Sequence, residues 1–256
     1  MIFDVYVLIL LFLMGLFLGR LLIVYGLKFP LKNSPVYNIC EYCNDKYNWY
    51  EMIPIVSFFI NKFKCNYCGN KLNKWYLLLE LILGLLYSTS YLLYGFSYEF
   101  FVFIILCSLG AVIFVTDFRY YIILDSSLLI SSILILLLKF IFFGSRTFLI
   151  SVLSGILIFM FVFFIKIVGD KFFGQESLGG GDVKLVAIFG FSLGVRLSIV
   201  SLILGALFAF PFALYCAIAN KDKVIPFGPY LIFALIFVFV FMEPIRGVLN
   251  IIFNIY

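Results

Sequence analysis

Long apolar segments separated by short polar breaks dominate the chain. The first segment covers residues 5–27, and seven more follow a polar stretch: 75–95, 98–116, 123–143, 147–168, 183–194, 196–219 and 226–250. One helical crossing of a bilayer needs about 20 apolar residues, whereas barrel strands are about half as long and alternate in polarity. The pattern therefore predicts an all-α polytopic membrane protein with about eight transmembrane helices. The 183–194 segment is short enough to be tilted or partly buried.

The start of the chain lacks the features of a cleaved signal peptide. Asp4 precedes the first apolar segment, no basic residue does, and no small-residue cleavage site follows it. Secretory signals carry a basic N-terminal region and a small-residue cleavage site, so we expect this segment to remain in the protein as a helix. Arg20, near its far end, is expected to extend its side chain toward the lipid headgroups.

One polar loop of domain size interrupts the apolar pattern. Residues 28–74 carry seven lysines against three acidic residues. We therefore divide the chain into a first transmembrane helix (1–27), a cytoplasmic loop (28–74) and a membrane-embedded core (75–256).

The distribution of basic residues orients the chain in the membrane. Cytoplasmic loops are enriched in lysine and arginine, so the 28–74 loop is predicted to face the cytoplasm. Strict alternation of the segments then places 117–122, 169–182 and 220–225 on the same side, and each contains or adjoins basic residues. Both chain termini are predicted to lie outside.

Composition agrees with a membrane protein and narrows its chemistry. The chain of 256 residues is 65% hydrophobic and only 12% charged, against about 25% charged in soluble domains. It contains no histidine. Histidine bases, Ser-His triads and histidine-ligated metals are therefore excluded, and any catalysis falls to Asp, Glu, Lys, Cys, Ser or Tyr.

Three aspartates are predicted at the cytoplasmic edge of the hydrocarbon. Asp182 follows three glycines and opens an apolar run, Asp125 is followed by two serines, and Asp117 ends a long apolar run with Arg119 close by. A carboxylate at a membrane boundary is a candidate functional group. For Asp182 and Asp125, helix N-capping is the alternative, because aspartate is a preferred N-cap residue. For Asp117 the alternative is an ion pair with Arg119.

The absence of histidine favours an acid–base pair made of Asp117 and Asp182. Two carboxyls held close together in low-dielectric surroundings cannot both ionise, so one keeps its proton. The protonated carboxyl can polarise a peptide carbonyl while the ionised one takes a proton from water. Lys184 either stabilises the ionised carboxylate or reaches lipid phosphates.

These residues resemble the type IV prepilin peptidases, which are membrane aspartic proteases. The resemblance rests on the G-x-G-D pattern continued by Val-Lys-Leu, on Thr116-Asp117, on Glu80-Leu81, on Ile225-Pro-Phe-Gly-Pro229 and on two C-x-x-C pairs in the first loop. It covers almost the whole chain. It implies that Asp117 and Asp182 are the catalytic residues. We assign Gly179, Gly180, Gly181 and Lys184 to the loop that meets the substrate, because glycines let another backbone approach closely.

The resemblance also implies the substrate and the location. Substrates would be prepilin or pseudopilin precursors, cut at the cytoplasmic end of their hydrophobic helix after a short basic leader that ends in glycine. The protein would lie in the inner membrane of a bacterial cell, with the lipid bilayer as its other partner. No nucleic-acid partner is expected, and the sequence does not indicate an oligomeric state.

Four cysteines of the polar loop predict a structural zinc site. Cys40 and Cys43 form one C-x-x-C pair, and Cys65 and Cys68 form the other. Four thiolates in two such pairs suit tetrahedral zinc, and a cytoplasmic location favours metal over disulfides. The alternative is four reduced thiols.

In bacterial members of the resembled family the four-cysteine loop accompanies N-methylation of the newly exposed residue, with S-adenosylmethionine as the methyl donor. This chain departs from the family at Arg20 and Ile23, where a small residue and an asparagine are usual. It also has Lys28-Phe-Pro30 at the loop entry in place of an arginine-rich stretch, and Leu124 in place of a proline. Methylation is therefore left open.

Two rival functions share parts of this pattern. A presenilin- or signal-peptide-peptidase-like intramembrane protease uses the same aspartate chemistry, but the cysteine loop and the acids at the membrane edge argue against it. A proton- or cation-coupled transporter can also use membrane aspartates, although its sites usually lie at the bilayer midplane.

Overall fold

Long apolar helices make up almost all of the part of the chain that the structure describes. The computed structural model describes residues 2–28, 64, 68–70, 74–218 and 225–252. Its helices are α1 (Ile2–Lys28), α2 (Lys74–Tyr94), α3 (Tyr98–Tyr120), α4 (Asp125–Phe173), α5 (Gly180–Leu193), α6 (Val195–Ile218), α7 (Gly228–Val240) and α8 (Met242–Ile252). The prediction of an all-helical, multi-pass membrane protein is confirmed.

The number of membrane crossings stays a prediction. Among the described helices, five are long and apolar enough to cross a bilayer, and α7 with α8 adds a sixth if the two form one broken crossing. Most of the 28–74 loop lies outside the described residues, so its predicted boundaries also stay a prediction.

Helix α4 is broken at Gly144. This residue has φ 79° and ψ −177°, a conformation that glycine adopts without steric cost and other residues do not. The helical stretches on either side, 125–143 and 145–173, are each long enough for one crossing at about 1.5 Å per residue. The break falls between the predicted segments 123–143 and 147–168.

The predicted span 226–250 is not one continuous helix. Helix α7 ends at Val240 and α8 continues from Met242 after a bend of 82°. Pro244 has no backbone N–H and cannot bond the carbonyl of Val240, so a continuous helix would lose a hydrogen bond and place the proline ring against that carbonyl. Helix α7 is 13 residues long, about 20 Å, which is shorter than the hydrocarbon core.

The described chain divides into two compact units, Met1–Arg119 and Tyr120–Tyr256. In the first unit, α1 and α2 cross at Gly15 and Gly84. A Cβ atom added to Gly15 would lie only 2.8 Å from the Cα of Gly84, so the close approach depends on the missing side chains. Small residues at crossings are typical of packing between membrane helices.

Arg20 is buried, and the prediction that it reaches the headgroups is wrong. Its Nη1 donates to Oε1 of Glu80 in α2 at 3.3 Å, and the side chains are 9% and 0% exposed. Arg20 turns inward because the buried carboxylate on α2 gives it a charged partner, and a buried carboxylate is costly without one. One turn later, Ile23 packs with Leu27 and Val115 in an apolar cluster.

In the second unit, α5 packs closely along α4. The helices meet at Gly155 of α4 and Gly190 of α5, where an added Cβ on Gly190 would lie 2.5 Å from the Cα of Gly155. Most apolar side chains of α5 are buried. The predicted short segment 183–194 is therefore a packed helix, and this packing fixes the helix that begins at the glycine-rich turn.

Candidate active site

Asp117 lies in the last turn of α3 and is only 6% exposed. The residues before it, Val115 and Thr116, pack against Gly26 of α1, where an added Cβ would lie 3.3 Å from Cγ2 of Thr116. The end of α3 is thus held against α1 at the position of the carboxylate. Asp117 is therefore a buried carboxyl at a helix end, and its catalytic role stays a prediction.

A cavity of about 420 Å³ adjoins this helix end within the first unit. Its walls are mostly aromatic and aliphatic side chains of α2 and α3, with one arginine at the end of α3. The lining residues are Trp75, Tyr76, Leu79, Phe114, Val115, Phe118 and Arg119. Since Phe118 follows Asp117 directly, the cavity flanks the helix turn that carries the carboxylate.

Asp182 lies in the first turn of α5 and is half-buried. The N-cap residue is Gly179, in an extended conformation with φ −61° and ψ 139°, so the alternative that Asp182 is the N-cap is wrong. The carboxylate lies over this glycine, because a Cβ added to Gly179 would be 2.9 Å from Oδ2 of Asp182. The partial positive charge at a helix N-terminus stabilises a carboxylate in this turn.

The start of α5 is docked on the chain that enters α4. A Cβ added to Gly181 would lie 2.9 Å from Cβ of Ile123, which explains the need for glycine there. Beyond it, Nζ of Lys184 donates to both carboxylate oxygens of Asp125 at 2.8 Å. These two contacts fix the first turn of α5, and therefore Asp182, relative to the start of α4.

Asp125 is not the N-cap of α4, contrary to that alternative. The N-cap is Leu124, in an extended conformation and without a side-chain cap. Asp125 is the first helical residue, where its carboxylate interacts favourably with the helix dipole and receives Lys184. From the sequence, Lys184 was expected to stabilise an ionised catalytic carboxylate or to reach lipid phosphates. The ion pair with Asp125 was not expected.

The two predicted catalytic aspartates belong to different units, Asp117 to the first and Asp182 to the second. Each is positioned by contacts within its own unit. That they act as a pair stays a prediction, and so do the roles of Gly179, Gly180, Gly181 and Lys184.

Of the four predicted zinc ligands, the structure describes Cys68. This side chain is exposed and is followed by Gly69, whose φ of 69° lies in the left-handed region. Such a turn suits a C-x-x-C pair that wraps a metal ion. Cys40, Cys43 and Cys65 lie outside the described residues. Among the residues that are described, no three His, Cys, Asp or Glu side chains form a metal-binding group.

Two further cysteines lie in the apolar helices. Cys107 and Cys216 are 2% and 5% exposed within helices. Both are small buried side chains of the core.

Sequence analysis missed three residues beside the glycine turn: Lys166, Asp170 and Ser177. Lys166 ion-pairs with Asp170 and with Glu176, and Ser177 donates to Asp170. Lys166 lies near the end of the predicted segment 147–168. The available signal was the spacing of four residues between Lys166 and Asp170, which brings opposite charges together on a helix.

Comparisons with known proteins find relatives over most of the chain. A family model described as bacterial peptidase A24 N-terminal domain matches residues 13–94, and one described as type IV leader peptidase family matches residues 104–214. The chain is 31% identical to a prepilin leader peptidase/N-methyltransferase of Bacillus subtilis over 230 residues, which are 86% of this chain and 88% of that protein.

A second protein of the same name, from Vibrio cholerae, is 27% identical over 225 residues. The match covers 83% of this chain and 86% of that protein. No solved structure gives a significant match.

Proposed function

The chain belongs to the type IV leader peptidase family, and we propose that it is a membrane aspartic endopeptidase that removes the basic leader of prepilin or pseudopilin precursors. One observation carries this proposal: the only glycine triplet of the chain leads into Asp182 in the first turn of a packed helix. Family membership favours this function over an intramembrane protease of the presenilin type and over a transporter.

The proposed chemistry uses Asp117 and Asp182 as general acid and general base. The ionised carboxylate takes a proton from the attacking water, and the protonated carboxyl donates to the oxygen of the scissile carbonyl. The chain has no histidine to take either role. Burial of Asp117 supports this assignment, because electrostatic interactions with a reacting group are stronger where water is excluded.

The glycines are proposed to admit the substrate backbone. A Cβ on Gly180 would meet no atom within 4 Å, so the protein's own packing leaves that space open. An extended peptide laid along the turn would find backbone rather than side chains there. The substrate helix would arrive from the bilayer with its basic leader on the cytoplasmic side, in line with a site in an inner-membrane protein.

We predict that Gly181→Ala lowers the rate of cleavage by about tenfold or more. The added methyl group would overlap Cβ of Ile123 at 2.9 Å and push the first turn of α5, with Asp182, away from its position. Misplacing a reacting group by about 1 Å can cost up to a hundredfold in rate. The rate constant for leader removal from a purified precursor is the measurement.

Gly247→Ala is the matched control, because a Cβ at Gly247 in α8 meets no atom within 4 Å. It should cleave like the unchanged protein. Gly180→Ala separates the positioning of Asp182 from the binding of substrate. Its methyl group would occupy only the space assigned to the substrate, so this variant should raise KM. Cleavage by Gly181→Ala at the unchanged rate would contradict the packing argument.

We also propose that Cys40, Cys43, Cys65 and Cys68 hold one structural zinc ion. Four thiolates satisfy tetrahedral zinc completely and leave no position for water or substrate, so the ion would fold the loop and take no part in cleavage. The left-handed Gly69 after Cys68 supports a knuckle turn at the second pair.

Metal analysis of the purified protein should give about one zinc per chain, and Cys68→Ser should lower that content sharply, because three thiolates bind zinc much less tightly than four. Cys107→Ser is the control, since that buried residue belongs to α3. Protein free of zinc, with all four loop thiols open to alkylation, would contradict the zinc site.

Both relatives are named as N-methyltransferases as well as leader peptidases. In this chain Ile23, where the resembled family usually has asparagine, is 1% exposed in an apolar cluster, and Arg20 is held by Glu80. At this place the chain therefore offers S-adenosylmethionine an apolar side chain and an arginine that is already engaged, which does not fit the polar group usual in the family.

Co-expression with a prepilin tests both activities together. Loss of the leader would support the peptidase, and a precursor left whole would contradict it. The mass of the new N-terminus reports the second activity as the gain or lack of one methyl group.

A further inference from the structure

One lysine ties the loop before the glycine turn to the end of α4. Nζ of Lys166 donates to the carbonyl oxygen of Leu178 and, at 2.7 Å, to Oε1 of Glu176. It also lies 3.5 Å from Oδ2 of Asp170, one turn along α4. The Lys166 side chain is only 15% exposed, so water screens these interactions less than at an open surface.

A second set of hydrogen bonds holds the same loop. The backbone N–H and the hydroxyl of Ser177 donate to Oδ1 of Asp170 at 2.6 and 2.7 Å. The approach requires glycine at position 169, because a Cβ there would lie 2.7 Å from Oγ of Ser177. Hydrogen bonds to a charged carboxylate are among the stronger ones in proteins.

These contacts end at the residue that precedes the glycine turn. Leu178 precedes Gly179, and three consecutive glycines have more conformational freedom than any other tripeptide. Such a turn holds one conformation only if both of its ends are fixed. The packing of Gly181 on Ile123 fixes the end at Asp182, and the Lys166 contacts fix the end before it.

We propose that Lys166 and Asp170 are positioning residues for the cleavage reaction: they hold Glu176–Leu178 against α4 and thereby set the place of Asp182. This inference rests on the proposed role of Asp182. Neither residue needs to touch the substrate, and their effect reaches the reaction through the backbone of the glycine turn.

The test is Lys166→Met in the full-length purified protein. We expect kcat for leader removal to fall about tenfold with little change in KM, since the carboxylate is displaced while the substrate surface remains. Amide hydrogen exchange of residues 174–180 should become faster. Lys166→Arg, which keeps the charge and the donors, should retain most of the activity and of the protection.

Lys171→Met is the matched control. It removes the same charge from the same helix, and Lys171 makes no hydrogen bond or ion pair with the described residues. It should change neither kcat nor exchange. Gly169→Ala is a second, uncharged variant that displaces Ser177, and it should reproduce both effects of Lys166→Met.

An unchanged kcat in Lys166→Met would overturn the proposal, and so would a lowered kcat with unchanged exchange in the loop. Equal effects of Lys171→Met would overturn it as well. Asp182→Asn, assayed in parallel, separates this proposal from the proposed function. If that variant still cleaves, the role of Asp182 fails, whereas the exchange result still reports whether Lys166 holds the loop.

Discussion

Asp117→Asn and Asp182→Asn should each abolish leader cleavage, and the double variant should be no worse than either single one. Asparagine keeps the size of the side chain but cannot take or give the proton that the proposed mechanism needs. Residues that act as a unit show such non-additive losses, because removing one already stops the reaction. Co-expression with a prepilin, followed by separation of precursor and mature forms, measures the effect.

The control for these variants is Glu243→Gln in α8. Glu243 is exposed and pairs with Arg246 three residues later, so it lies outside the proposed site. It should process prepilin normally, and all variants should be recovered from the membrane in similar amounts. Normal processing by either aspartate variant would rule out the carboxyl pair.

Arg20→Met should destabilise the protein by about 3–5 kcal/mol, because it removes a charged partner of a fully buried carboxylate, that of Glu80. The side chain of Glu80 is 0% exposed, so water cannot replace the guanidinium. The Tm of the detergent-solubilised protein, followed by circular dichroism, is the measurement.

The double variant Arg20→Met with Glu80→Met should recover most of the lost stability, since two apolar side chains fill the same space without a buried charge. Arg246→Met provides the control, because it breaks an Arg–Glu pair whose side chains are 49% and 77% exposed. Its Tm should stay unchanged. Equal losses for Arg20→Met and the double variant would show that the buried charge is not the cause.

The helices themselves could be predicted from sequence because membrane insertion depends on a local property, the length of an apolar run. The break of α4 at Gly144 also lay between two predicted runs. The break before α8 was missed because Glu243 and Pro244 interrupt the run for only two residues. The helix breaks there although the neighbouring residues are apolar, because Pro244 has no N–H to continue the helical hydrogen bonds.

Pairwise contacts between distant residues could not be predicted. Arg20 lies near a helix end, where reaching the headgroups is usual, and its partner Glu80 is 60 residues away. The same holds for Lys184 and Asp125. Which residue is the N-cap depends on where each helix begins. Both Asp125 and Asp182 lie inside the first turn of their helices, after the N-cap residue.

The candidate catalytic residues came from residue type and spacing together. Asp182 was singled out by the preceding glycines, and Asp117 by a carboxylate at the end of an apolar run. The structure adds what holds them: Gly26 against the end of α3, and Ile123 under Gly181 at the start of α5.

The most direct test of the central claim is to incubate the purified protein with a synthetic prepilin and to measure the masses of both products. The account predicts a leader that ends in glycine and a mature fragment, with neither formed by Asp182→Asn prepared in parallel. An intact precursor after incubation with the unchanged protein, or the same two fragments from Asp182→Asn, would contradict it.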